Sequence, residues 1–170
     1  MFAFFKSLRK AARRALIPVA ALGLAACDPA ALTVGGGSGP AIDASRPVPV
    51  ALLVPRGSGQ ASDDLLAQNL ENAARLAMRG LEGVDIDLRV YGTAGNAQTA
   101  ANQAAAAIND GAQIIVGPLY AEAANAAGVA ANAAGVNVLA FSYNSTIAGG
   151  NVFVLGSSFG NTAIRFVSYA

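Results

Sequence analysis

The sequence predicts an α/β domain with a doubly wound, mostly parallel sheet, and three observations support this. From Val48 onward, short apolar segments rich in β-branched residues alternate with alanine-rich segments of helical periodicity. The connections between them are short and marked by glycine or proline. The resulting order, β-α-β-α-β-α-β-β, favours parallel strands with helices on both faces of the sheet.

The first strand and helix are predicted from residue 48 to residue 83. Residues 48–54 are an apolar run closed by proline and glycine, which is typical of a buried strand. Ser62 is the predicted N-cap of the following helix, because two aspartates lie in the next turn, where carboxylates suit the helix dipole. Gly80 or Gly83 is expected to end that helix.

The second strand is predicted over residues 84–91, where apolar and charged residues alternate strictly. This pattern predicts a strand near the sheet edge, with one buried face and one face in water. Asp85 and Asp87 belong to the wet face and are expected to be solvated, not catalytic. The later elements are predicted as helices over 96–110 and 120–134, strands over 112–116, 136–141 and 151–155, and a last helix opening at Asn161 or Thr162.

The first 26 residues have the pattern of an export signal: basic residues, a short apolar run and small residues before the single cysteine, Cys27. Residues 24–27, Leu-Ala-Ala-Cys, resemble the bacterial lipobox, which implies cleavage before Cys27 and lipidation of that residue. The alternatives are a buried free cysteine behind an ordinary signal peptide and, from Arg13-Arg14, twin-arginine export. Residues 27–47, rich in glycine, serine and proline, are a predicted flexible tether.

Composition excludes several classes of function. Six basic and ten acidic residues follow Cys27, a net charge of −4, which disfavours nucleic-acid binding. The chain has no histidine and one cysteine, which excludes His/Cys zinc sites, Ser-His-Asp triads and Cys-His dyads. No metal or cofactor is therefore predicted. Carboxylate chemistry remains possible on composition, although the protein is not expected to be an enzyme.

The candidate binding cleft lies at the carboxyl ends of the strands, where open parallel sheets bind ligands. Hydroxyls, amides, a guanidinium and helix N-termini at this edge suit small polar or anionic ligands. The alternative for the same residues is ordinary turn formation and backbone capping. The candidates are Arg56, Ser58 and Gln60 after the first strand, Pro118 and Tyr120 after the third, and Ser142, Asn144 and Thr146 after the fourth.

Three segments together resemble a known fold family: 50–55 (VALLVP), 114–119 (IIVGPL) and 138–142 (VLAFS). They are similar to type I periplasmic binding proteins of the leucine-binding kind, over residues 48–170. With the lipobox and tether, the chain resembles the LppC/LpoA-like penicillin-binding protein activators, which are envelope lipoproteins. The resemblance implies the first lobe of a two-lobed fold, with the second lobe absent, so we expect a fragment or truncated gene product.

Three functions follow from this resemblance and from the residues. The first is binding and activation of a peptidoglycan synthase, a class A penicillin-binding protein, without catalysis. The second is a lipid-anchored receptor for amino acids or similar small polar solutes, serving an ABC transporter. An enzyme is a distant third, since Asp63 and Asp64 are the only carboxylates near the predicted cleft loops. The expected location is a periplasm-facing lipid anchor in the inner or outer membrane, and Asp28 after the cysteine resembles an inner-membrane retention signal.

Overall fold

The computed structural model describes residues 40–156, 164–165 and 167–168. The predicted signal peptide, Cys27 and most of the predicted tether lie outside these residues. Ahead of the first strand, Asp43 accepts hydrogen bonds from the backbone and hydroxyl of Ser45 and from the guanidinium of Arg46. Of the predicted last helix, residues 164–165 and 167–168 are described and are helical.

Five parallel strands form one sheet in the order β2-β1-β3-β4-β5, which confirms the predicted α/β fold. The chain order confirms the predicted alternation, and most ends differ from prediction by a residue or two. The strands are β1 (Val48–Val54), β2 (Ile86–Gly92), β3 (Ile114–Val116), β4 (Asn137–Ala140) and β5 (Val152–Val154). The helices are α1 (Ala61–Met78), α2 (Ala97–Asn109) and α3 (Ala121–Asn132), and a 3₁₀ turn (Ser145–Ile147) connects β4 to β5.

Helices cover both faces of the sheet, as predicted. On one face, α2 and α3 pack on Leu53, Ile115 and Val138, which are fully buried. The buried contacts of these two helices are largely alanines, whose small side chains let the helices lie close to the sheet. On the other face, α1 packs through Ala67 against Leu52 and their neighbours.

Strand β2 lies at the sheet edge and its polar side is in contact with water, both as predicted, but its apolar side is only partly buried. All seven of its residues are partly buried. The apolar side packs against the cluster that includes Ala67 of α1. On the polar side the Asp87 and Arg89 side chains are each 41% exposed, and the charged and aromatic side chains bind one another and the end of α2. There Arg89 donates to Asp87 and to the carbonyl of Asp110, while the Tyr91 hydroxyl donates to Asp110 Oδ2 at 2.9 Å.

The predicted N-cap of α1 is wrong. The helix begins at Ala61, so Ser62 lies inside its first turn, and the preceding Gln60 is extended, with no capping hydrogen bond from its side chain. The reason is the tight turn after β1, which brings the chain into the helix early. In that turn Ser58 Oγ accepts from the Gln60 backbone N–H at 3.1 Å, and Asp64 Oδ1 accepts from the Gly57 backbone N–H at 3.0 Å.

Across the described part of the chain, no helix combines the length and apolar character that a membrane span requires.

Candidate functional site

An open cavity of about 550 Å³ lies at the carboxyl edge of the sheet. It is formed by the connections that follow β1, β2 and β3, because parallel strands end at the same edge. Of the predicted cleft residues, Ser58, Gln60 and Tyr120 come together here. The lining residues are Ser58, Gln60, Asp63, Ala94, Gly95, Tyr120, Ala121 and Glu122.

A hydrogen bond between the starts of α1 and α3 crosses this cavity. The Tyr120 hydroxyl donates to Asp63 Oδ1 at 2.6 Å, joining residues 57 positions apart. Asp63 is only 6% exposed, whereas Tyr120 is 39% exposed. The hydrogen bond to Asp63 raises the pKa of Tyr120, because it stabilises the protonated phenol. The pair fixes the positions of the two helix starts relative to each other.

The connection after β2 closes the third side of the cavity. Buried Thr93 anchors this connection, since its backbone N–H and its hydroxyl both donate to the Val54 carbonyl. Gly95 then approaches the hydrogen-bonded pair closely: a Cβ here would lie 3.3 Å from the Tyr120 ring and 3.4 Å from Asp63 Oδ2. Its φ of +68° also favours glycine.

Sequence reasoning missed part of this lining. The sequence places Asp63 in the first turn of a helix and near the first cleft loop but does not make it a binding residue, and it indicates no role for Ala94, Gly95 and Glu122. The signal for the β2 connection was available, because Thr93 to Asn96 follow a predicted strand at the same edge and precede a helix. The Tyr120–Asp63 contact had no local signal, since it joins two separate β-α units.

Arg56 and Pro118 lie near the cavity but do not line it. Arg56 donates to Glu71 on α1 at 2.8 Å, and Arg75 binds the same carboxylate. Both hydrogen bonds lower the pKa of Glu71, and the one from Arg56 has the larger effect. Pro118 is fully buried, and its carbonyl accepts from the Phe141 backbone N–H at 3.0 Å, which links the ends of β3 and β4.

The three candidates after β4 form a separate turn outside the cavity. Ser142 is buried, and its Oγ accepts from the Asn144 backbone N–H at 3.1 Å. Asn144 Oδ1 accepts from both the backbone N–H and the hydroxyl of Thr146. These bonds match the capping alternative, because the polar atoms satisfy their own turn.

The charged side chains of the cavity are both carboxylates, those of Asp63 and Glu122. No lysine or arginine lies among the lining residues, so the cavity has negative electrostatic character. Within the described ranges, no group of three or more histidine, cysteine, aspartate or glutamate residues is placed to hold a metal ion.

Replacing Tyr120 with phenylalanine should lower the free energy of unfolding by about 1 kcal/mol at pH 7, because Asp63 loses its donor. The raised pKa of Tyr120 means that this contribution is present below the usual tyrosine pKa of 10 and is lost as pH rises through the folded-state pKa. The difference between wild type and Tyr120→Phe should therefore shrink above pH 10. Urea unfolding at several pH values measures it, and a difference independent of pH would contradict the assignment.

Solved structures of solute-binding proteins share this fold. A leucine-binding protein from Thermotoga maritima MSB8 superposes with a TM-score of 0.58 at 21% identity, covering 72% of this chain and 37% of its own. A branched-chain amino-acid transporter protein from Rhodopseudomonas palustris CGA009 gives 0.55 at 17% identity, covering 65% and 33%. An ABC-transporter solute-binding protein from Rhodopseudomonas palustris BisB5, bound to 3,4-dihydroxybenzoic acid, gives 0.52 at 27% identity, covering 59% and 28%.

The chain thus spans about a third of the length of these solved relatives. No curated protein matches it. The family model for periplasmic binding proteins matches residues 47–170, which include every described strand and helix. The described sheet corresponds to the first lobe of the type I, leucine-binding-like fold. The chain belongs to the periplasmic binding protein family.

Proposed function

We propose that this protein is a non-enzymatic envelope lipoprotein that binds and activates a peptidoglycan synthase, a class A penicillin-binding protein. The observation that carries the proposal is how the hydroxyl groups of the turn after β4 are hydrogen-bonded and buried. Ser142 and Thr146 are the groups suited to hold an amino-acid carboxylate. The Thr146 hydroxyl donates to Asn144 Oδ1 within the turn, and Ser142 is buried, with its Oγ accepting from the Asn144 backbone N–H. The nearby cavity is acidic, which further disfavours a carboxylate ligand. A protein partner does not need those groups.

Exposed apolar side chains close to the carboxyl edge support a protein partner. Tyr143 follows β4 and is 77% exposed, while Phe153 and Leu155 on and after the edge strand β5 are about half exposed. Aromatic residues are enriched in protein interfaces relative to the remaining surface. We propose that Tyr143 contributes to the synthase contact.

The anchor is part of the same proposal. Lipidation of Cys27 after removal of residues 1–26 would hold the domain at a periplasm-facing membrane, where a synthase of the cell wall works. Residues 27–47 would form the flexible tether between the lipidated cysteine and the folded domain. Replacing Cys27 with serine should move the protein from the membrane fraction to the soluble fraction, and unchanged membrane association would contradict the anchor.

Capture of the synthase tests the proposed function. The complete gene product carrying Cys27→Ser is immobilised and exposed to detergent-solubilised membranes of the source cell. We expect specific, saturable retention of one class A penicillin-binding protein, and at least threefold weaker retention with Tyr143→Ala. The control is Leu76→Ala, which removes a side chain of similar exposure (66%) from the far end of α1. Absence of any retained synthase, with the protein folded, overturns the proposal.

The second candidate is a lipid-anchored solute receptor for an ABC transporter. It is favoured by the family of the chain, by the solute-binding relatives and by a cavity whose volume falls in the range of small-molecule sites. A shift in melting temperature of the complete protein on addition of one small metabolite, together with failure to capture a synthase, would favour this function.

A further inference from the structure

The geometry points to the solvent-facing side of α1 as a homodimer contact, where a second copy of this chain binds in antiparallel orientation. This inference goes beyond the proposed function and does not rest on it. Three features of α1 carry it: two leucines that project into water, the spacing of the residues around them, and the opposite charges at the two ends of the helix. The contact, called here the outer stripe, consists of Leu65, Asn69, Asn72 and Leu76.

The outer stripe lies opposite the side of α1 that packs on the sheet. Ala67 is fully buried against the sheet, and Leu65 and Leu76 lie about 160–180° around the helix from it. Leu65 is 60% exposed and Leu76 is 66% exposed, and Asn69 and Asn72 between them are exposed as well. The other two α-helices pack on the opposite face of the sheet. Within the described part of the chain, the outer stripe is therefore accessible to a partner.

The spacing of the outer stripe is that of a helix-pairing seam. Its members follow one another at intervals of four, three and four residues, the heptad spacing at which one helix packs along another. The pattern is also self-complementary. When Leu65 lies opposite Leu76 of an antiparallel second copy, Asn69 lies opposite Asn72 of that copy, because both pairs share one midpoint. Leucine then meets leucine, and each asparagine amide meets another amide to which it can donate and from which it can accept.

This pairing also specifies its own register. A slip of one helix along the other by one turn would place asparagine against leucine. The amide would then be shielded from water without a hydrogen-bond partner, which is unfavourable. The two asparagines therefore favour the one antiparallel register in which leucine faces leucine, as buried polar residues do in other helix pairs.

The charges at the ends of α1 favour the antiparallel orientation over the parallel one. Asp64 is exposed in the first turn, and Arg75 and Arg79 are exposed at the other end. In an antiparallel pair, each acidic end lies beside the basic end of the second copy, and the two helix dipoles oppose each other. A parallel pair would place Arg79 beside the same arginine of the second copy. The partner that matches both the apolar and the charged pattern of this helix is thus another copy of it.

A single helix pair makes a small interface, so we expect weak, reversible association. Weak and transient interfaces bury less than about 1,200 Å² in total. Sedimentation equilibrium of the complete protein carrying Cys27→Ser should show a monomer–dimer equilibrium with a dissociation constant on the order of 10–100 μM.

Two charge substitutions at exposed positions test the pairing. Leu65→Lys and Leu76→Glu should each weaken self-association at least tenfold, because each places a charge against leucine twice in the dimer. An equimolar mixture of the two variants should recover association to within about threefold of wild type. In the mixed antiparallel dimer the introduced lysine faces the introduced glutamate, and the other end keeps its pair of leucines. A parallel dimer would not bring the two introduced charges together.

Val129→Lys is the matched control, because Val129 is an apolar residue of similar exposure, 72%, on α3 at the other face of the sheet. It should leave the dimer unchanged. Equal weakening by Val129→Lys would mean a general effect of added charge, and absence of recovery in the mixture would mean a different contact. Either result overturns the proposal. A wild-type protein that stays monomeric at millimolar concentration would overturn it as well and would indicate that another segment or another protein covers the outer stripe. Synthase capture is a separate readout, since Tyr143 lies in the turn after β4.

Discussion

Replacing Gly117 with alanine should lower the free energy of unfolding by about 4 kcal/mol, from backbone strain and overpacking together. Gly117 follows β3 with a φ of +89°, a conformation that L side chains rarely adopt. An added Cβ would also lie under 3.0 Å from the Leu53 carbonyl oxygen, which belongs to the backbone of the interior strand β1 and cannot move aside as a side chain would. The substitution must therefore push β1 and β3 apart at the edge that forms the cavity.

Gly57→Ala is the matched control for this experiment. Gly57 has nearly the same φ, +86°, but an added Cβ there would meet nothing within 4 Å. It should cost only about 1–2 kcal/mol, the strain of the left-handed conformation alone. Urea unfolding followed by circular dichroism measures both variants. Equal losses in the two would show that the approach of Gly117 to β1 contributes nothing.

The fold was predictable because its signals are local. Each buried strand is a short apolar run, and each helix is an alanine-rich segment ended by glycine, so β1, α2 and β4 could be placed within a residue or two. The parallel arrangement followed from alternation and short connections. The error at Ser62 arose because an early turn hydrogen bond, from Gln60 to Ser58, moved the helix start.

The candidate site was only partly predictable, for a physical reason. The rule that ligands lie beyond the carboxyl ends of strands selected three residues that line the cavity at this edge, Ser58, Gln60 and Tyr120. The rule does not predict which connections lie together around the cavity, because this depends on contacts between residues that are distant in sequence. Tyr120 and Asp63 pair across 57 positions, whereas the polar residues from Ser142 to Thr146 satisfy one another. Composition alone cannot distinguish these two outcomes.

The packing of α3 on the end of the sheet leads to a second large effect, the coupling of Gly128 and Val152. A Cβ at Gly128 would lie under 3.0 Å from Val152 Cγ2 and in ordinary contact with its Cβ, at 3.7 Å. The approach is fixed by Asn151, whose amide donates to the Gly128 carbonyl at 3.1 Å and to the Val136 carbonyl at 2.8 Å. This glycine therefore sets how closely α3 lies on β5.

Gly128→Ala should change sign between two backgrounds. In the wild type it should destabilise the protein by about 1–2 kcal/mol, because overpacking against Val152 exceeds the gain in helix propensity of about 1 kcal/mol. In the Val152→Ala background the clashing methyl is gone and only the propensity gain remains, so the same substitution should stabilise by about 1 kcal/mol. The coupling, about 2–3 kcal/mol, is measured by urea unfolding of the double-mutant cycle. Additive effects would mean that α3 can shift freely on the sheet. The contact between Gly128 and Val152 would then not fix the position of Tyr120, which lines the cavity at the start of α3.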